Sequence, residues 1–321
     1  MKVLVVTNMY PDINPECSYE GIFVKEQVDC LNKLSNIQCD SFIIKGFESK
    51  LNYLFDAFKI FFKVSFNHFD VIHVHYGLSG LFVLLNPFKS WKNVVLTLHG
   101  GDILSKQGKY IQNFITKAIV KRVGNVITLN DEMNGIVSKI NHNFTMLPCG
   151  VDDELFNSCY SANRKNIIIF PGSMNRQVKN FPLFNEIFQE YKKIDSEVEF
   201  TELDGLSRDE IAVKLSQSKL LLMTSISEGS PQIIKEALSS DLAIISTDVG
   251  DVKSVVGNTL GTRIISSKET PLQIANSINT VIKDALDSPT NRRARVFTKE
   301  LTQNLIMKKL LNIYERVMNN D

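Results

Sequence analysis

SISEGSPQIIKEALSSDLAIISTDVG, residues 225–250, is the stretch on which the reading of this chain turns. An apolar run, LLLM, leads into a Gly-Ser-Pro loop, then a helical pattern, PQIIKEALSS, then a second apolar run, LAIIS, and the Gly-bearing turn TDVG. Pro231 suits the first helical turn, where its missing N–H costs nothing. A Gly-Ser loop feeding a helix N-terminus offers free backbone N–H groups and a positive dipole end, which suit an anion or a cluster of hydroxyls. Two carboxylates flank that loop. Glu228 opens it, and Glu236 sits about two turns into the helix. Two glutamates at that spacing are usually no more than a solvated helix face. Here the strand, loop, helix and strand around them form a parallel-sheet unit whose ligand loop leaves the strand's C-terminal end.

Outward from this segment the same alternation continues. Candidate strands are VLVVT, SFIIK, VIHVH, VVLTL, NVITL and FTMLP, then NIIIFP, EVEFTEL, KLLLMT, LAIIS and TRIIS. Helical patterns such as FVKEQVDCLNKL, YIQNFITKAIVKRV, LFNEIFQEYKKI and RDEIAVKLSQ lie between them. Continuously apolar strands alternating with helices predict parallel sheets covered on both faces. A length of 321 residues fits two such α/β domains. The alternation pauses in the polar stretch 150–165, which predicts domains over 1–155 and 156–300. The apolar stripe Leu301, Leu305, Ile306, Leu310, Ile313, Tyr314 and Val317 predicts a final helix over 301–321.

Composition narrows the function classes. A net charge of +1 calls for no nucleic-acid partner. Residues 1–150 carry 15 basic and 12 acidic side chains, and the rest carry 21 and 23, so the first half is the one suited to an anionic surface. Five scattered cysteines, Cys17, Cys30, Cys39, Cys149 and Cys159, include no CxxC pair, which argues against zinc and for a reduced cytosolic setting. MKVLVVTNMY is too short in apolar residues for a signal peptide and reads as a first strand. No apolar run is long enough to span a bilayer.

Other strand ends carry candidate chemistry. The loop MYPDINPECSYEGIF follows the first strand, and Gly21 opens the next helix. That residue is either a turn glycine or a point of close backbone approach to an anion. In LTLHGGDI a strand delivers His99, cleared by two glycines, with Asp102 placed to orient the loop. A lipase oxyanion loop would need a G-x-S-x-G elbow, which is absent. His73 and His75 in VIHVHYG read as core histidines. In FPGSMNRQVKNF, Gly172 ends a strand and Arg176 and Lys179 follow. The pair is either a solvated basic loop or a diphosphate clamp, whose charge would act on a leaving nucleotide. No D-x-D motif follows an apolar strand, and no Walker A or G-x-G-x-x-G appears, so a metal-held diphosphate, kinase, ATPase or simple dehydrogenase is disfavoured. The segment LNYLFDAFKIFFKV places Leu51, Leu54, Phe55, Phe58, Phe61 and Phe62 on one helical face. That face either packs on the sheet or lies on a membrane surface.

The segment from Ser225 to Ala237 resembles the S-x-x-E-G-x-P-x-x-x-x-E-A signature of the retaining glycosyltransferases of family 4. The Gly21 loop, the His99 strand end, LPCGVDDELF and the Lys179 loop occur in that family's order. The resemblance implies a GT-B fold: two Rossmann-like domains, an interdomain cleft, and a C-terminal helix returning to the first domain. It implies that Gly172, Ser173, Arg176, Lys179, Glu228, Gly229, Ser230, Pro231, Gln232 and Glu236 bind the donor, with Gly21 contributing from the first domain. Lys179 would meet the diphosphate, Glu228 and the Gly229–Gln232 backbone the sugar, Glu236 the ribose, and His99 the donor sugar from the first domain. The catalytic residues so implied are His99, Glu228 and Lys179. LPCGVDDELF would be the interdomain hinge, and Asn130 occupies a position near the cleft. Where the family has Arg directly after the Gly, this chain has Ser173, and its Lys stands one position later; Arg176 is the candidate replacement.

The activity implied is transfer of a hexose-type sugar from a nucleotide donor, UDP first and GDP second, to a glycan or polyprenyl-linked acceptor. No cofactor and no metal are implied. The setting implied is bacterial capsule or O-antigen assembly in the cytoplasm, with a peripheral contact to the anionic inner membrane. The departure at Ser173 keeps open a catalytically silent subunit of a polysaccharide assembly complex, and a nucleotide-sugar epimerase of the same fold is a third reading.

Overall fold

A computed structural model describes residues 1–11, 13, 21–104 and 110–319. The chain forms two compact units, Met1–Pro148 with Met307–Asp321, and Cys149–Ile306. The polar stretch 150–165 lies inside the second unit, so the division falls a few residues before 155. Most of the first loop, 12 and 14–20 with Cys17, lies outside the described residues.

The first unit is built on six parallel strands: β1 (Lys2–Thr7), β2 (Gln38–Ile43), β3 (Val71–His75), β4 (Trp91–Thr97), β5 (Val123–Thr128) and β6 (Phe144–Met146). Their order is β2-β1-β3-β4-β5-β6. Side chains alternate across each strand. In β3, Ile72 and Val74 join the core formed with Leu4, Val6, Leu96 and Val126, which leaves His73 and His75 together on the opposite face. Both are buried. The register pairs Val74 with Leu96 and His75 with Thr97, so the chain leaving β4 carries His99 past the end of β3. A slip of one residue would put both β3 histidines into the aliphatic core.

The second unit has five parallel strands: β7 (Lys165–Phe170), β8 (Glu199–Glu202), β9 (Ser218–Met223), β10 (Ala243–Thr247) and β11 (Thr262–Ile265), ordered β11-β10-β9-β7-β8. The direction of winding reverses between β7 and β9. Loops that leave the C-terminal ends of strands at such a reversal diverge and open a crevice. The two loops concerned are the ones that carry Lys179 and Glu228. The residues leading into and out of this unit are tied to each other: Val151 bridges Thr302, with Val151 N–H donating to the Leu301 carbonyl at 2.9 Å and Gln303 N–H to the Val151 carbonyl at 2.8 Å.

The final helical stripe is shorter than expected. One helix ends at Thr298, Glu300 turns through φ 53°, and the last helix runs Gln303–Met318. Leu301 therefore lies ahead of it. The last helix buries Leu310, Ile313, Tyr314 and Val317.

The aromatic helix, Asn52–Phe66, settles a point that the sequence left open. It packs through Ala57, Ile60 and Val64, a narrow stripe whose small alanine lets the helix lie close. Leu51, Leu54, Phe55, Phe58, Phe62 and Phe66 are exposed. Packing on the sheet thus does not account for the broad apolar face. Only Phe61 of that face turns inward, edge-on to Trp91 at 6.4 Å.

Candidate active site

In the second unit the loop after β7 turns at Gly172, whose φ is +118°. A Cβ there would stand 3.3 Å from Cε of Lys179, so the lysine's alkyl chain runs over the glycine. Lys179 ends a short 3-10 turn, Gln177–Lys179, and its ammonium donates to Glu228 Oε1 at 2.7 Å. Ser225 Oγ donates to the same carboxylate oxygen at 2.9 Å. Backbone contacts hold the two loops together: Ile226 N–H donates to the Val178 carbonyl, and Thr224 Oγ1 to the carbonyls of Lys179 and Asn180. Two charges expected to contact one ligand are thus already in contact. Ser173 is buried, and its hydroxyl accepts from Asn175 N–H within its own loop. Arg176 is exposed and only begins the 3-10 turn.

Helix Gln232–Ser239 starts directly after the Glu228 loop, with Pro231 as its N-cap rather than inside its first turn. Gln232 donates to the Gly150 carbonyl at 2.5 Å, which ties the helix start to the segment that leads into the unit. Glu236 is 2% exposed and pairs with Arg208 Nη1 at 2.5 Å. The guanidinium also lies 4.8 Å over the Phe156 ring. The Ser230 hydroxyl accepts from Lys235 Nζ at 2.6 Å and donates to Asp251 Oδ2 at 2.5 Å. Lys235 is fully buried, and burial lifts the Asp251 carboxyl above its ordinary range while Lys235 opposes the shift. Gly250, at φ +60°, closes the loop from the other side. A Cβ there would come within 2.5 Å of the Gly229 carbonyl oxygen. A cavity of about 790 Å³ at the ends of β9, β10 and β11 is lined by Asn180, Thr224, Ser225, Thr247, Asp248 and Ile265, among others.

In the first unit Gly21 opens helix Ile22–Asn32 in the left-handed conformation, φ 78°. A Cβ would lie 2.3 Å from the Met9 carbonyl oxygen, so close approach of two backbones demands the glycine there. Asp102 does orient the His99 loop: its carboxylate accepts from His99 N–H and from Gly77 N–H, each at 3.1 Å. Burial raises its pKa and these backbone donors pull it back. The His99 ring lies against Tyr76 at 4.2 Å and Phe23 at 4.9 Å, and Nε2 meets His75 Nδ1 at 3.2 Å. His73, its ring tilted against that of His75 at 4.3 Å, bonds Thr97 Oγ1 and the Tyr314 hydroxyl. Burial drives all three imidazoles down, His75 to about 3, with their mutual repulsion adding for His73 and His99. They are neutral at ordinary pH. His99 lines a cavity of about 230 Å³ with Asn8, Tyr53, Tyr76 and Gln112.

Residues 3–155, most of the first unit and the start of the second, match the model of Glycosyltransferase Family 4, and residues 192–299 of the second unit match Glycosyl transferases group 1. The chain belongs to glycosyltransferase family 4. An uncharacterized glycosyltransferase of Methanocaldococcus jannaschii is 22% identical over 290 residues, covering 83% of this chain and 81% of its own. Among solved structures, the transferase resembles a sucrose-phosphate synthase of Thermosynechococcus elongatus with a TM-score of 0.79 and 16% identity, covering 100% and 99% of the two chains. The Anabaena protein HepE in complex with UDP gives 0.70 and 14%, covering 98% and 100%. A lipopolysaccharide outer core galactosyltransferase, WaaB, gives 0.71 and 12%, covering 98% and 99%. At these identities the structural likeness speaks to the fold alone, which is GT-B.

Several side chains of this transferase's candidate site carry no sequence signal. Arg208 opens a largely polar helix, Lys235 stands between Ile234 and Glu236 like a surface lysine, and Asp251 follows a turn glycine. Tyr76 holds φ 68°, a conformation rare for a side chain of its size, and its ring lies against His99. Asn130, expected near the cleft, caps helix Asp131–Val137 by accepting from Met133 N–H at 2.9 Å. Among the described residues no group of three or more His, Cys, Asp or Glu side chains is arranged to hold a metal, and no helix is long and apolar enough to cross a membrane.

Proposed function

We propose that this family 4 transferase moves a hexose-type sugar from a UDP-sugar to a lipid-linked glycan acceptor, with retention of anomeric configuration and without a metal ion. The observation that carries the reading is the Lys179–Glu228 pair at the crevice between β7 and β9. Lys179 is placed to neutralise the diphosphate as it departs, when its charge is greatest. Glu228, freed from Lys179, would take sugar hydroxyls, with the Gly229–Gln232 backbone beside it. Glu236, held by Arg208, would accept the ribose hydroxyls. His99 would donate to the donor sugar, and the departing phosphate would take the acceptor's proton on the same face, so no protein base is assigned. Uridine is favoured because HepE, of the same fold, binds UDP.

The exposed aromatic face of helix Asn52–Phe66, with Lys59 and Lys63 on the same helix, supports a peripheral contact with an anionic lipid surface that presents the acceptor. The setting proposed is capsule or O-antigen-type polysaccharide assembly. A thermal-shift panel of UDP, GDP, CDP, ADP and TDP tests the donor half. A nucleotide at about 100 times its dissociation constant adds about 2.7 kcal/mol of stability. UDP should shift the wild type and leave Glu236→Ala unmoved. No shift with any nucleotide would favour the silent-subunit reading that Ser173 keeps open.

A further inference from the structure

His75 stands behind His99 and has no role in the reading above. It is 2% exposed, its Nδ1 lies 3.2 Å from His99 Nε2, and its own Nε2 is buried without a partner among the described residues. Between two neutral imidazoles one ring must donate and the other accept. If His99 Nε2–H donated, His75 would carry its remaining proton on the buried Nε2, an N–H with no acceptor. If His75 Nδ1–H donates, the buried Nε2 holds only a lone pair. A buried, unpaired N–H is the rarer and costlier of the two defects. The Thr97 hydroxyl bonds His73 Nε2 at 2.7 Å and makes no bond to His75 Nε2.

We propose that His75 is a positioning residue that fixes His99 in the Nδ1–H tautomer, so that His99 meets its ligand only as a hydrogen-bond donor. Nε2 of His99 is filled by His75. Nδ1 makes no bond among the described residues, and the ring lines the cavity shared with Asn8, Tyr53 and Tyr76. A ring locked this way cannot take a proton through Nε2, and it offers an oxygen of the ligand one N–H of fixed direction. That the oxygen belongs to a donor sugar rests on the transferase reading; the tautomer does not.

The test separates the two. Protein labelled with 15N at histidine reports each ring's tautomer from its two nitrogen shifts, with no substrate present. His99 is expected as Nδ1–H in the wild type. His75→Leu should release it to the mixture or to the Nε2–H form. His75→Asn should keep it locked, because the amide nitrogen occupies the place of Nδ1. Turnover should fall about tenfold in the leucine variant, the worth of one hydrogen bond of about 1.4 kcal/mol, and be recovered by asparagine. Wild-type His99 found as Nε2–H, or a tautomer indifferent to His75→Leu, overturns the proposal. An inactive wild type with His99 locked would leave it standing and sink the transferase reading instead.

Discussion

Three neutral imidazoles, His73 and His75 buried and His99 half-buried beside a cavity, make the first unit sensitive to mild acid, and the size of the effect follows from linkage. In an unfolded chain each histidine titrates near pH 6.5 (about 6.5 for a free side chain). In the folded unit His73, His75 and His99 are all depressed, His75 to about 3. Below the unfolded pKa the unfolded chain binds more protons than the folded one, so stability is full above about pH 6.5 and is lost as pH falls toward the folded values. At about pH 5.5 each histidine that stays neutral costs about 1.4 kcal/mol, together about 4 kcal/mol. Asp102, whose pKa burial raises, acts in the opposite sense. The single tryptophan, Trp91, is buried in this unit and reports its unfolding. Denaturant titrations followed by Trp91 fluorescence at about pH 7.5 and 5.5 should differ by about 4 kcal/mol. A difference below about 1 kcal/mol would refute the reasoning, because at least two of the three rings would then be free to charge in the folded state.

Three further outcomes follow from the second unit and the exposed helix. Arg208→Ala strands the buried Glu236 and should cost about 3–5 kcal/mol, whereas Glu236→Ala leaves a guanidinium still stacked on Phe156 and should cost less. Chemical denaturation of both variants and of the double variant gives the coupling, and equal costs would deny the asymmetry. Gly250→Ala, at φ +60° and with the new carbon driven onto the Gly229 carbonyl, should destabilise by about 1–2 kcal/mol from backbone conformation alone and weaken nucleotide binding, read by calorimetry. Phe55→Ser with Phe62→Ser, both exposed, should leave Tm unchanged and abolish co-sedimentation with anionic vesicles. Unchanged sedimentation would remove the lipid contact from the proposal.

What could be read from the sequence was what repeats or what is covalently local. Each of the eleven candidate runs became a strand, and the central ones, such as β3 and β9, are buried along most of their length, which leaves little choice of side chain. The Glu228 loop and the Lys179 loop were legible because both are short punctuated turns at strand ends. Their meeting at 2.7 Å was not, since it depends on β9 pairing with β7 across the reversal in strand order. Arg208 was not legible because its partner is 28 residues further along the chain and nothing near it departs from an ordinary helix. The role of Asn52–Phe66 stayed open because an apolar stripe says that a face is greasy, not what covers it. Ala57, Ile60 and Val64 were enough to dock the helix. The shared face of His73 and His75 is plain from a period of two, but the company of Tyr314 comes from a helix more than two hundred residues later.

The clasp between Val151 and Thr302 bears on the order in which the chain can be assembled. The first unit is discontinuous: its last piece, from Met307, returns only after the 158 residues of Cys149–Ile306. Closing a flexible loop of that length costs more than closing one of about ten residues by about four doublings, about 2 kcal/mol. Once the second unit has folded and Val151 is paired with Thr302, that loop is already closed, and the final helix is delivered beside the point where the first unit left off. Folding of the inserted unit thus lowers the entropic barrier to completing the other. During synthesis His73 waits for its Tyr314 hydroxyl through 241 further residues, so the histidine site acquires its final form only after the second unit has emerged.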